Sequence, residues 1–459
     1  MITDWQKKNV AVLGLGVEGA AVIEFLKKNG ASVWVLDRRQ KENIDHNLVT
    51  QNEKLGARFV CGKEYLENLT DYDVIFRSPG VRRLTPELVE AEKNGATITS
   101  QTKLFFDLCP CPIIGVTGTK GKGTTSTLIY NMLKEAGTDA YLGGNIGVPP
   151  LTFLNSLQPS SIIVLELSSF QLQDLTKSPH IGVMLMVTSE HLDHHATVEE
   201  YIDAKRNLLR FQTSDDFAIV NRDYPATNES DILTDGKLFY ISRERETNNG
   251  CFALNGKIIV KKNDNDDEII DISEIALPGR HNLENVCAAV MAARLANVGK
   301  KHIIEVLKTF TGLPYRLELV SEIKGVKYYN DSFSTTPETA IAAIEAFDRP
   351  KILILGGSSK GSDFTQLGKV IRESESIKAI IGIGDEWQTI KDETGITNQN
   401  SKILLVEGAQ DMKTIVQAAS KIAKSGDVVL LTPACASFDM FKDYKDRGEQ
   451  FKNEVLGLA

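Results

Sequence analysis

Short apolar runs, each bounded by Gly, Pro, Ser or Asp, recur along the whole chain. In the first hundred residues the runs NVAVLG, SVWVLD and YDVIFR alternate with stretches that have helical spacing. The middle carries four runs that are too short for helices and too apolar for half-exposed strands: PIIGVTG, SIIVLELSS, IGVMLMVTS and FAIVNRD. Four more follow towards the end: KYYND, KILILGG, AIIGIG and DVVLLTP. This pattern predicts buried strands of mostly parallel sheets with helices between them.

Residues 115–125, GVTGTKGKGTT, have the composition of a phosphate-binding loop. They follow a predicted strand and precede a helical pattern that we expect to begin at Thr124. Glycines let backbone N–H groups converge on phosphate oxygens, and a helix N-terminus adds its positive end. In the usual GxxxxGK[ST] pattern a hydroxyl follows the lysine directly, whereas here Gly123 follows Lys122. The pattern predicts a variant P-loop for ATP, with these candidate residues: Gly118, Thr119, Lys120, Gly121, Lys122, Gly123, Thr124 and Thr125.

A second glycine-rich turn, GLGVEG at 14–19, lies between the first predicted strand and a helical stretch, and the next strand ends at Asp37. This order is typical of a Rossmann-type nucleotide-binding unit. Taken alone it predicts an NAD-dependent oxidoreductase. A P-loop follows about a hundred residues later, and one chain seldom needs both sites, so the oxidoreductase is the weaker alternative. Asp37, Arg38 and Arg39 are candidates to hold a different nucleotide.

The order of these signals predicts an α/β protein of three domains, and 459 residues suffice for about three domains of ~150 residues. We expect a Rossmann-like domain over 1–104, a P-loop ATPase domain with a mostly parallel sheet over 105–312, and a second Rossmann-like domain over 313–459. Between 236 and 271, Asn255-Gly256 predicts hairpins. The run NDNDDE at 263–268 predicts a solvated turn, because it lacks the spacing of a calcium loop.

Acidic and imidazole side chains follow two of the central runs. Glu166 ends SIIVLE, and the carboxyl ends of parallel strands form the ligand crevice of such sheets. A carboxylate there, beside a P-loop, is a candidate Mg²⁺ ligand, although a plain strand-end acid is the alternative. The next run leads into SEHLDHH, which contains His191, Asp193, His194 and His195. Their spacing does not fit a zinc hydrolase, so we expect one metal-contacting histidine with solvated neighbours.

The net charge and the hydropathy of the chain exclude some classes of binding partner. A net charge of -9 argues against nucleic acid and against anionic membranes, because a phosphate backbone favours a basic surface. No apolar stretch approaches the ~20 residues of a membrane span, and the first residues lack the pattern of a signal peptide. We therefore expect a cytoplasmic protein whose partners are small molecules and whose six scattered cysteines are reduced.

An ordered set of motifs resembles the Mur ligase family over nearly the whole chain, most closely its glutamate-adding branch. The matching stretches are GTKGKGTT, GGNIG, LELSSFQL, TSEHLDHH, YIDAKRNLL, LPGRHNLEN, GLPYRLE, YNDS, GGSSKGSDF and TPACASFDMFKDYKDRGEQF. Folylpolyglutamate synthase is a cousin with a similar loop, but it lacks the N-terminal domain indicated by GLGVEG and RSPG. Lys205 in YIDAKRNLL becomes a candidate site residue only through this resemblance, since a lone helical lysine usually lies on a solvated face.

The resemblance implies an ADP-forming amide ligase of peptidoglycan precursor synthesis. ATP phosphorylates the carboxylate of UDP-N-acetylmuramoyl-L-alanine, and the amino group of D-glutamate then displaces phosphate. The same reaction with L-glutamate is the main alternative, since only pocket shape separates the enantiomers. A non-catalytic P-loop switch is a further alternative, which predicts slow hydrolysis unaffected by any amino acid. We expect the enzyme to act as a monomer.

The resemblance also carries roles to positions of this chain. The catalytic positions are Lys122, Glu166, His191, Lys205 and Arg316. The ATP-binding positions add Asn282, Asn285, Arg316 and Asp331 to the loop residues. The positions for the UDP substrate are Val17, Glu18, Asp37, Arg38, Ser78, Asn145 and His191, and those for glutamate are Thr335, Lys360, Ser437 and Tyr444. Two Mg²⁺ sites are expected, with Thr124, Glu166 and His191 as ligands together with Lys205, which relatives carry as a carbamate formed with CO₂.

Two positions depart from the family pattern. Relatives usually have NDSKATN where this chain has Asn330 to Thr336, so a lysine has become Phe333. Tyr315 stands where a histidine is more usual before Arg316. The first change removes a positive charge beside the glutamate site and indicates either compensating packing or an altered amino-acid substrate.

Overall fold

The computed structural model describes residues 4–188, 197–262, 265–359, 361–399 and 401–458. These residues form an α/β fold with three mostly parallel sheets, as the alternation of apolar runs predicts. The chain divides into two compact units: one is Met1–Ile272 with Glu284–Val306, and the other is Ser273–Leu283 with Leu307–Ala459. Within the described part of the chain, no helix is both long and apolar enough to cross a membrane.

The first sheet has five parallel strands in the order β3-β2-β1-β4-β5. Its elements are β1 Asn9–Leu13, α1 Val17–Lys28, β2 Ser32–Asp37, α2 His46–Lys54, β3 Arg58–Cys61, β4 Val74–Arg77, α3 Pro86–Lys93, β5 Thr97–Thr99 and α4 Gln101–Leu108. The strand order reverses between β1 and β4, which opens a crevice at their carboxyl ends. The turn GLGVEG follows β1 and therefore lies at this crevice.

The second sheet has nine strands in the order β14-β13-β12-β11-β10-β9-β6-β8-β7, and only β13 and β14 are antiparallel to their neighbours. Its strands are β6 Ile113–Thr117, β7 Ala140–Gly144, β8 Ile162–Glu166, β9 Ile181–Met184, β10 Phe217–Asn221, β11 Lys237–Ser242, β12 Gly250–Leu254, β13 Lys257–Lys262 and β14 Asn265–Asp271. In the described part of the chain, four α-helices lie between these strands in the sequence: α5 Lys122–Glu135, α6 Ser169–Leu172, α7 Val198–Arg210 and α8 Pro225–Asn228. Two more follow β14: α9 Asn282–Leu295 and α10 Lys300–Thr309. Because β6 lies between β8 and β9, their carboxyl ends meet at one edge.

The antiparallel end of this sheet confirms one prediction and corrects another. Asn255 and Gly256 form the turn between β12 and β13 with φ of 49° and 76°, as a tight hairpin requires. The predicted turn over NDNDDE is wrong for 265–268, which belong to β14. Acidic side chains are tolerated on this edge strand because basic partners face them: Lys257 pairs with Glu268 at 2.5 Å.

The third sheet has six strands in the order β15-β16-β20-β17-β18-β19, with only β15 antiparallel to its neighbour. Its elements are β15 Glu318–Ile323, β16 Val326–Asn330, α11 Pro337–Glu345, β17 Lys351–Gly356, α12 Thr365–Glu373, β18 Ile377–Ile383, α13 Trp387–Thr394, β19 Leu404–Val406, α14 Met412–Ile422, β20 Val428–Leu431 and α15 Tyr444–Leu456. Asn330 pairs with Leu431, so the segments that follow β16 and β20 leave the sheet side by side.

Candidate active site

The P-loop connects β6 to α5, and its last glycine is fixed by both conformation and space. Gly121 has φ of 85° and caps the helix, which begins at Lys122 rather than at the predicted Thr124. A Cβ at Gly121 would lie 2.1 Å from Oδ1 of Asn285. The loop can therefore close only on a residue without a side chain. The early helix start means that the loop lysine already belongs to the first turn, where free N–H groups favour anions.

Two lysines converge on one carbonyl oxygen of this loop. Lys122 Nζ donates to the carbonyl of Gly118 at 3.1 Å and to that of Thr119 at 2.9 Å. Lys205 Nζ donates to the same Gly118 carbonyl at 2.9 Å. Lys205 is buried, so it does not lie on the solvated helix face that a lone helical lysine usually occupies. While both lysines are unmodified, their two ammonium groups and the helix N-terminus make this loop favourable for a polyphosphate.

Helix α7 presents a second side chain to the loop, one turn before Lys205. The hydroxyls of Tyr201 and Thr119 lie 3.0 Å apart, and Lys205 Nζ lies 4.5 Å from the centre of the Tyr201 ring. Thr119 also donates to the carbonyl of Thr188 at 3.0 Å, which ties the loop to the chain after β9. The spacing of four residues places Tyr201 and Lys205 on one helix face. Helix α7 therefore packs against one side of the P-loop.

Glu166 ends β8, directly beside the P-loop strand β6. Its carboxylate is buried and accepts a hydrogen bond from Asn145 Nδ2 at 2.8 Å, while the backbone N–H of Asn145 donates to the Glu166 carbonyl at 2.9 Å. Thr124 lies on the first turn of α5. Among the described residues, no group of three or more His, Cys, Asp or Glu forms a metal cluster. One carboxylate and one hydroxyl suit Mg²⁺, which takes few protein ligands and completes its shell with waters and phosphates.

The two asparagines of α9 have different surroundings. Asn285 accepts from Thr125 Oγ1 at 3.3 Å and packs against Gly121, so it belongs to the loop. Asn282, the first residue of the helix, donates to the carbonyl of Pro278 at 2.6 Å. Their roles in binding adenine stay predictions.

The first sheet forms a second candidate site around its glycine turn. Gly14 has φ of 88°, and Ser78 Oγ donates to its carbonyl at 3.1 Å. Asp37 is buried and accepts from the backbone of Leu15 at 2.8 Å and from Arg39 Nη2 at 2.7 Å. Burial is the largest single influence on the pKa of Asp37 and raises it. The hydrogen bonds from Arg39 and Leu15 and the charge of Arg39 together outweigh burial, so the pKa of Asp37 is lowered. Asp37 therefore shapes the turn, and its role towards a UDP group stays a prediction.

The N-terminus of α1 lies at the same turn. Val17 is its first residue and is two-thirds exposed, and Gly16 caps the helix without a side chain. Glu18 accepts from Gln171 of α6 at 2.7 Å, and burial raises its pKa. Arg38 is exposed at the end of β2. Gln171 thus connects Glu18, a predicted UDP-site residue, to the segment that follows Glu166.

In the C-terminal unit, Asp331 follows β16 and is buried. It accepts from the backbone of Leu317 at 3.1 Å and from Thr432 Oγ1 at 3.1 Å. Burial raises its pKa to about 7. The guanidinium of Arg316 lies over the Phe333 ring, 3.9 Å from its centre. Asp331 and Arg316 therefore share one neighbourhood, and the nucleotide role of both stays a prediction.

Three of the predicted glutamate residues, Thr335, Ser437 and Tyr444, belong to segments that meet at Arg447, a buried residue that is not among the predicted site residues. Arg447 donates through Nε to Ser332 Oγ at 2.9 Å and through Nη1 to the Ala436 carbonyl at 3.2 Å. It thereby joins the segment before Thr335 to the segment before Ser437. Burial lowers the pKa of Arg447 to about 10. Two other predicted ligands, His191 and Lys360, lie outside the described residues.

Three family models match the chain in order. The model described as "Mur ligase MurD-like, N-terminal domain" matches 8–100, "Mur ligase middle domain" matches 116–293, and "Mur ligase, glutamate ligase domain" matches 315–435. A relative from Acetivibrio thermocellus is 39% identical over 99% of this chain and 97% of its own length. The chain belongs to the Mur ligase family. The resemblance seen in the sequence motifs is thus confirmed.

Two of the relatives carry the same name. The Acetivibrio protein is named UDP-N-acetylmuramoylalanine–D-glutamate ligase, as is one from Ruminiclostridium cellulolyticum, which is 38% identical over 99% of this chain and 98% of its own length. Among solved structures, MurF from Acinetobacter baumannii aligns with a TM-score of 0.62 at 15% identity, over 97% of this chain and 93% of that one. MurC from Thermotoga maritima aligns with 0.57 at 18%, over 98% and 100%. These structures share the fold.

Proposed function

We propose that this protein is an ATP-dependent, ADP-forming ligase that joins D-glutamate to UDP-N-acetylmuramoyl-L-alanine through an acyl phosphate. The name of its full-length relatives supports this substrate pair. The observation that carries the chemistry is the contact of Lys205 and Lys122 with one carbonyl of the P-loop. The reaction belongs to peptidoglycan precursor synthesis.

The first step transfers the γ-phosphoryl group. A carboxylate oxygen of the muramoyl-alanine bonds to phosphorus while the bond to ADP breaks. Lys122 and the loop N–H groups are proposed to hold the phosphates, because donors at a loop before a helix N-terminus stabilise the oxygens that gain charge as ADP leaves. Mg²⁺, held by Thr124 and Glu166, would neutralise phosphate charge.

Lys205 is proposed to act as a carbamate. Adding CO₂ to the neutral amine releases a proton and turns a cation into an anionic oxygen ligand, which suits a hard metal ion. The burial of Lys205 and the neighbouring Lys122 ammonium both favour the neutral amine that this addition needs. A second Mg²⁺ position that includes His191 is part of the same proposal.

The second step forms the amide. The amino group of glutamate adds to the acyl carbon, and the tetrahedral intermediate expels phosphate as the nitrogen loses a proton. Thr335, Lys360, Ser437 and Tyr444 are proposed to hold glutamate. Exclusion of water protects the acyl phosphate from hydrolysis.

Phosphate release tests this function directly. We expect ATP turnover with Mg²⁺ and UDP-N-acetylmuramoyl-L-alanine to require D-glutamate, with L-glutamate far weaker. Preference for L-glutamate would redirect the substrate assignment while keeping the ligase. Turnover that neither enantiomer stimulates would overturn the proposal in favour of a P-loop switch.

The substrates of the proposed reaction also bear on where the protein acts. We propose a cytoplasmic monomer, since UDP-linked and ATP substrates are used together. Light scattering on the purified protein, with and without the UDP substrate, tests the monomer. A stable dimer in both conditions would refute it.

A further inference from the structure

Both departures from the family pattern lie in one aromatic cluster of the C-terminal unit. The ring of Phe333 meets that of Tyr444 edge-on, with centroids 5.0 Å apart and planes at 87°. Tyr315 meets Tyr444 in the same way at 5.9 Å and 82°. The guanidinium of Arg316 lies over the open face of Phe333. The two substitutions are therefore neighbours in space, although eighteen positions separate them in the sequence.

The backbone around Arg316 is held from both sides. Tyr315 and Leu317 have φ of 61° and 45°, which is unfavourable for residues with a Cβ and persists only where contacts enforce it. The backbone N–H of Phe333 donates to the Tyr315 carbonyl at 3.0 Å. The Tyr315 hydroxyl donates to Glu449 at 2.7 Å. Arg316 therefore projects from a strained turn that these contacts fix.

The Tyr315 ring requires a glycine on α15. A Cβ at Gly448 would come within 2.4 Å of that ring, so Tyr315 packs directly on the helix backbone. A residue seated this closely orients the turn beside it. Tyr315, like Phe333, thus has a structural reason to differ from the family pattern.

Phe333 itself is only partly buried, with 38% of its surface exposed. Burial therefore gives little reason for an aromatic residue here. The contact with Arg316 does give a reason for an aromatic residue, because a cation at 3.9 Å from a ring centre is attracted by the negative face of the ring. A lysine, as the family pattern has it, would instead place a second positive charge against Arg316 and repel it.

We propose that Phe333 is a positioning residue that fixes the plane of the Arg316 guanidinium through a cation–π contact. The inference rests on the proposed function, with Arg316 at the ATP-binding position that the family resemblance gives it. Phe333 acts through Arg316 and takes no part in the chemistry. Its loss should then raise KM for ATP more than it lowers kcat, and KM for the UDP substrate should stay the same.

The test uses the full chain and a graded series at one position. Site-specific replacement of Phe333 by mono-, di- and trifluorophenylalanine weakens the ring face while its size hardly changes. We expect KM for ATP to rise stepwise with fluorination, to about three- to fivefold. Phe333→Tyr should keep KM, Phe333→Leu should match the most fluorinated ring, and Phe333→Lys should lose more.

A double-mutant cycle separates this role from general packing. In the Arg316→Met background, Phe333→Leu should have no further effect on KM for ATP, because the two side chains act as one unit. Phe217→Leu is the matched control, since Lys237 lies 5.4 Å from the Phe217 ring at the start of β10. It should leave KM for ATP unchanged.

A flat KM across the fluorinated series, or additive effects in the cycle, would overturn the role of Phe333. Failure of the proposed ligase function looks different, because the unmodified protein would then show no glutamate-dependent turnover. In that case the affinity for Mg·ATP, measured by calorimetry across the same series, replaces KM. A graded loss of affinity supports the inference, and equal affinity refutes it.

Discussion

Lys205 carries more of the proposed mechanism than any other single side chain of the described site. Its amine is buried and donates to the P-loop carbonyl that Lys122 also contacts. We expect Lys205→Ala to lower kcat by at least about a hundredfold, since a charge-stabilising group of this kind is typically worth that much. A short carboxylate such as formate should restore part of the rate by replacing the carbamate oxygens. Steady-state phosphate release measures both effects.

Arg206→Ala is the matched control for this variant. Arg206 follows Lys205 in α7 but donates to Ser230 Oγ at 3.2 Å, away from the P-loop. Its removal should leave kcat within about twofold and show no response to formate. Full activity in Lys205→Ala would remove this lysine from the mechanism.

The raised pKa of Asp331 predicts that the free energy of unfolding falls as pH rises. Burial raises its pKa to about 7, whereas an exposed aspartate titrates near pH ~4. Between these values the folded state holds a proton that the unfolded state has lost, so the stability contributed by this group falls as pH rises. In Asp331→Asn the side chain stays neutral. We expect Tm of the variant relative to the unmodified protein to rise from about equal at pH 5 to clearly higher at pH 8.

Differential scanning calorimetry from pH 5 to pH 8 measures this difference. The exposed Asp348→Asn serves as control and should shift Tm equally little at every pH. A Tm difference for Asp331→Asn that does not change with pH would show that this carboxyl titrates normally.

At this scale, sequence could predict the residue types of the site but not their partners. Lys122 is predicted from the loop motif, Glu166 from its place at a strand end, and Lys205 only from the family resemblance. The structure brings Lys122 and Lys205 to one carbonyl oxygen. Tyr201 was missed, although its spacing of four residues from Lys205 was a usable signal. Arg447 had no such signal, because its four acceptors come from distant segments that only the fold brings together.

At the scale of elements, apolar runs predicted the buried central strands well. The runs in β6, β8, β9 and β10 have flanking glycines or polar residues that mark their ends. Strands β3 and β7 were missed because RFVC and AYLGG are short and lack a clear period. The acidic start of β14 was mistaken for a turn, since cross-strand lysines that stabilise it are not visible in the local sequence.

The junction of β6 and α5 gives a prediction on the P-loop. Gly121→Ala would place a Cβ 2.1 Å from Asn285 Oδ1, at a residue whose φ of 85° already disfavours a side chain. We expect the loop to open and the affinity for Mg·ATP to fall at least about tenfold. Gly137→Ala is matched to it, because Gly137 just after α5 has φ of 77° but no atom within 4 Å of a new Cβ.

Calorimetric titration with Mg·ATP and thermal unfolding separate the two glycine variants. Both should lose about 1 kcal/mol of stability from the left-handed conformation. Only Gly121→Ala should lose nucleotide affinity. Equal affinities in the two variants would mean that the Gly121 contact with Asn285 does not shape the site.

At the scale of the whole molecule, the first two sheets belong to one compact unit, and a buried ion pair ties them together. Arg77 at the end of β4 pairs with Asp174, which follows α6, at 2.5 Å. Arg77 also donates to the carbonyls of Phe170 and Val81 at 2.8 and 2.6 Å. The segment between Glu166, a predicted ATP-site residue, and Asp174 is thereby anchored to the sheet that carries the predicted UDP site.

Removing one partner of this pair should cost more than removing both. Asp174→Leu leaves the Arg77 charge buried without its carboxylate, which typically costs 3–5 kcal/mol, or roughly 5–10 °C in Tm for a unit of this size. Arg77→Met should cost less, because Asp174 keeps its second partner, Arg83, at 3.3 Å. In the double variant neither charge remains to be desolvated, so the loss of Tm should be clearly smaller than the sum of the two. The pair of the exposed Lys177 and the partly buried Asp107 is the control, and Lys177→Ala should change stability by less than about 1 kcal/mol. Calorimetry on the four proteins measures the coupling. If the double variant loses the full sum, the pair does not act as a unit, and the anchoring of the Glu166 segment must come from the neutral contacts around it.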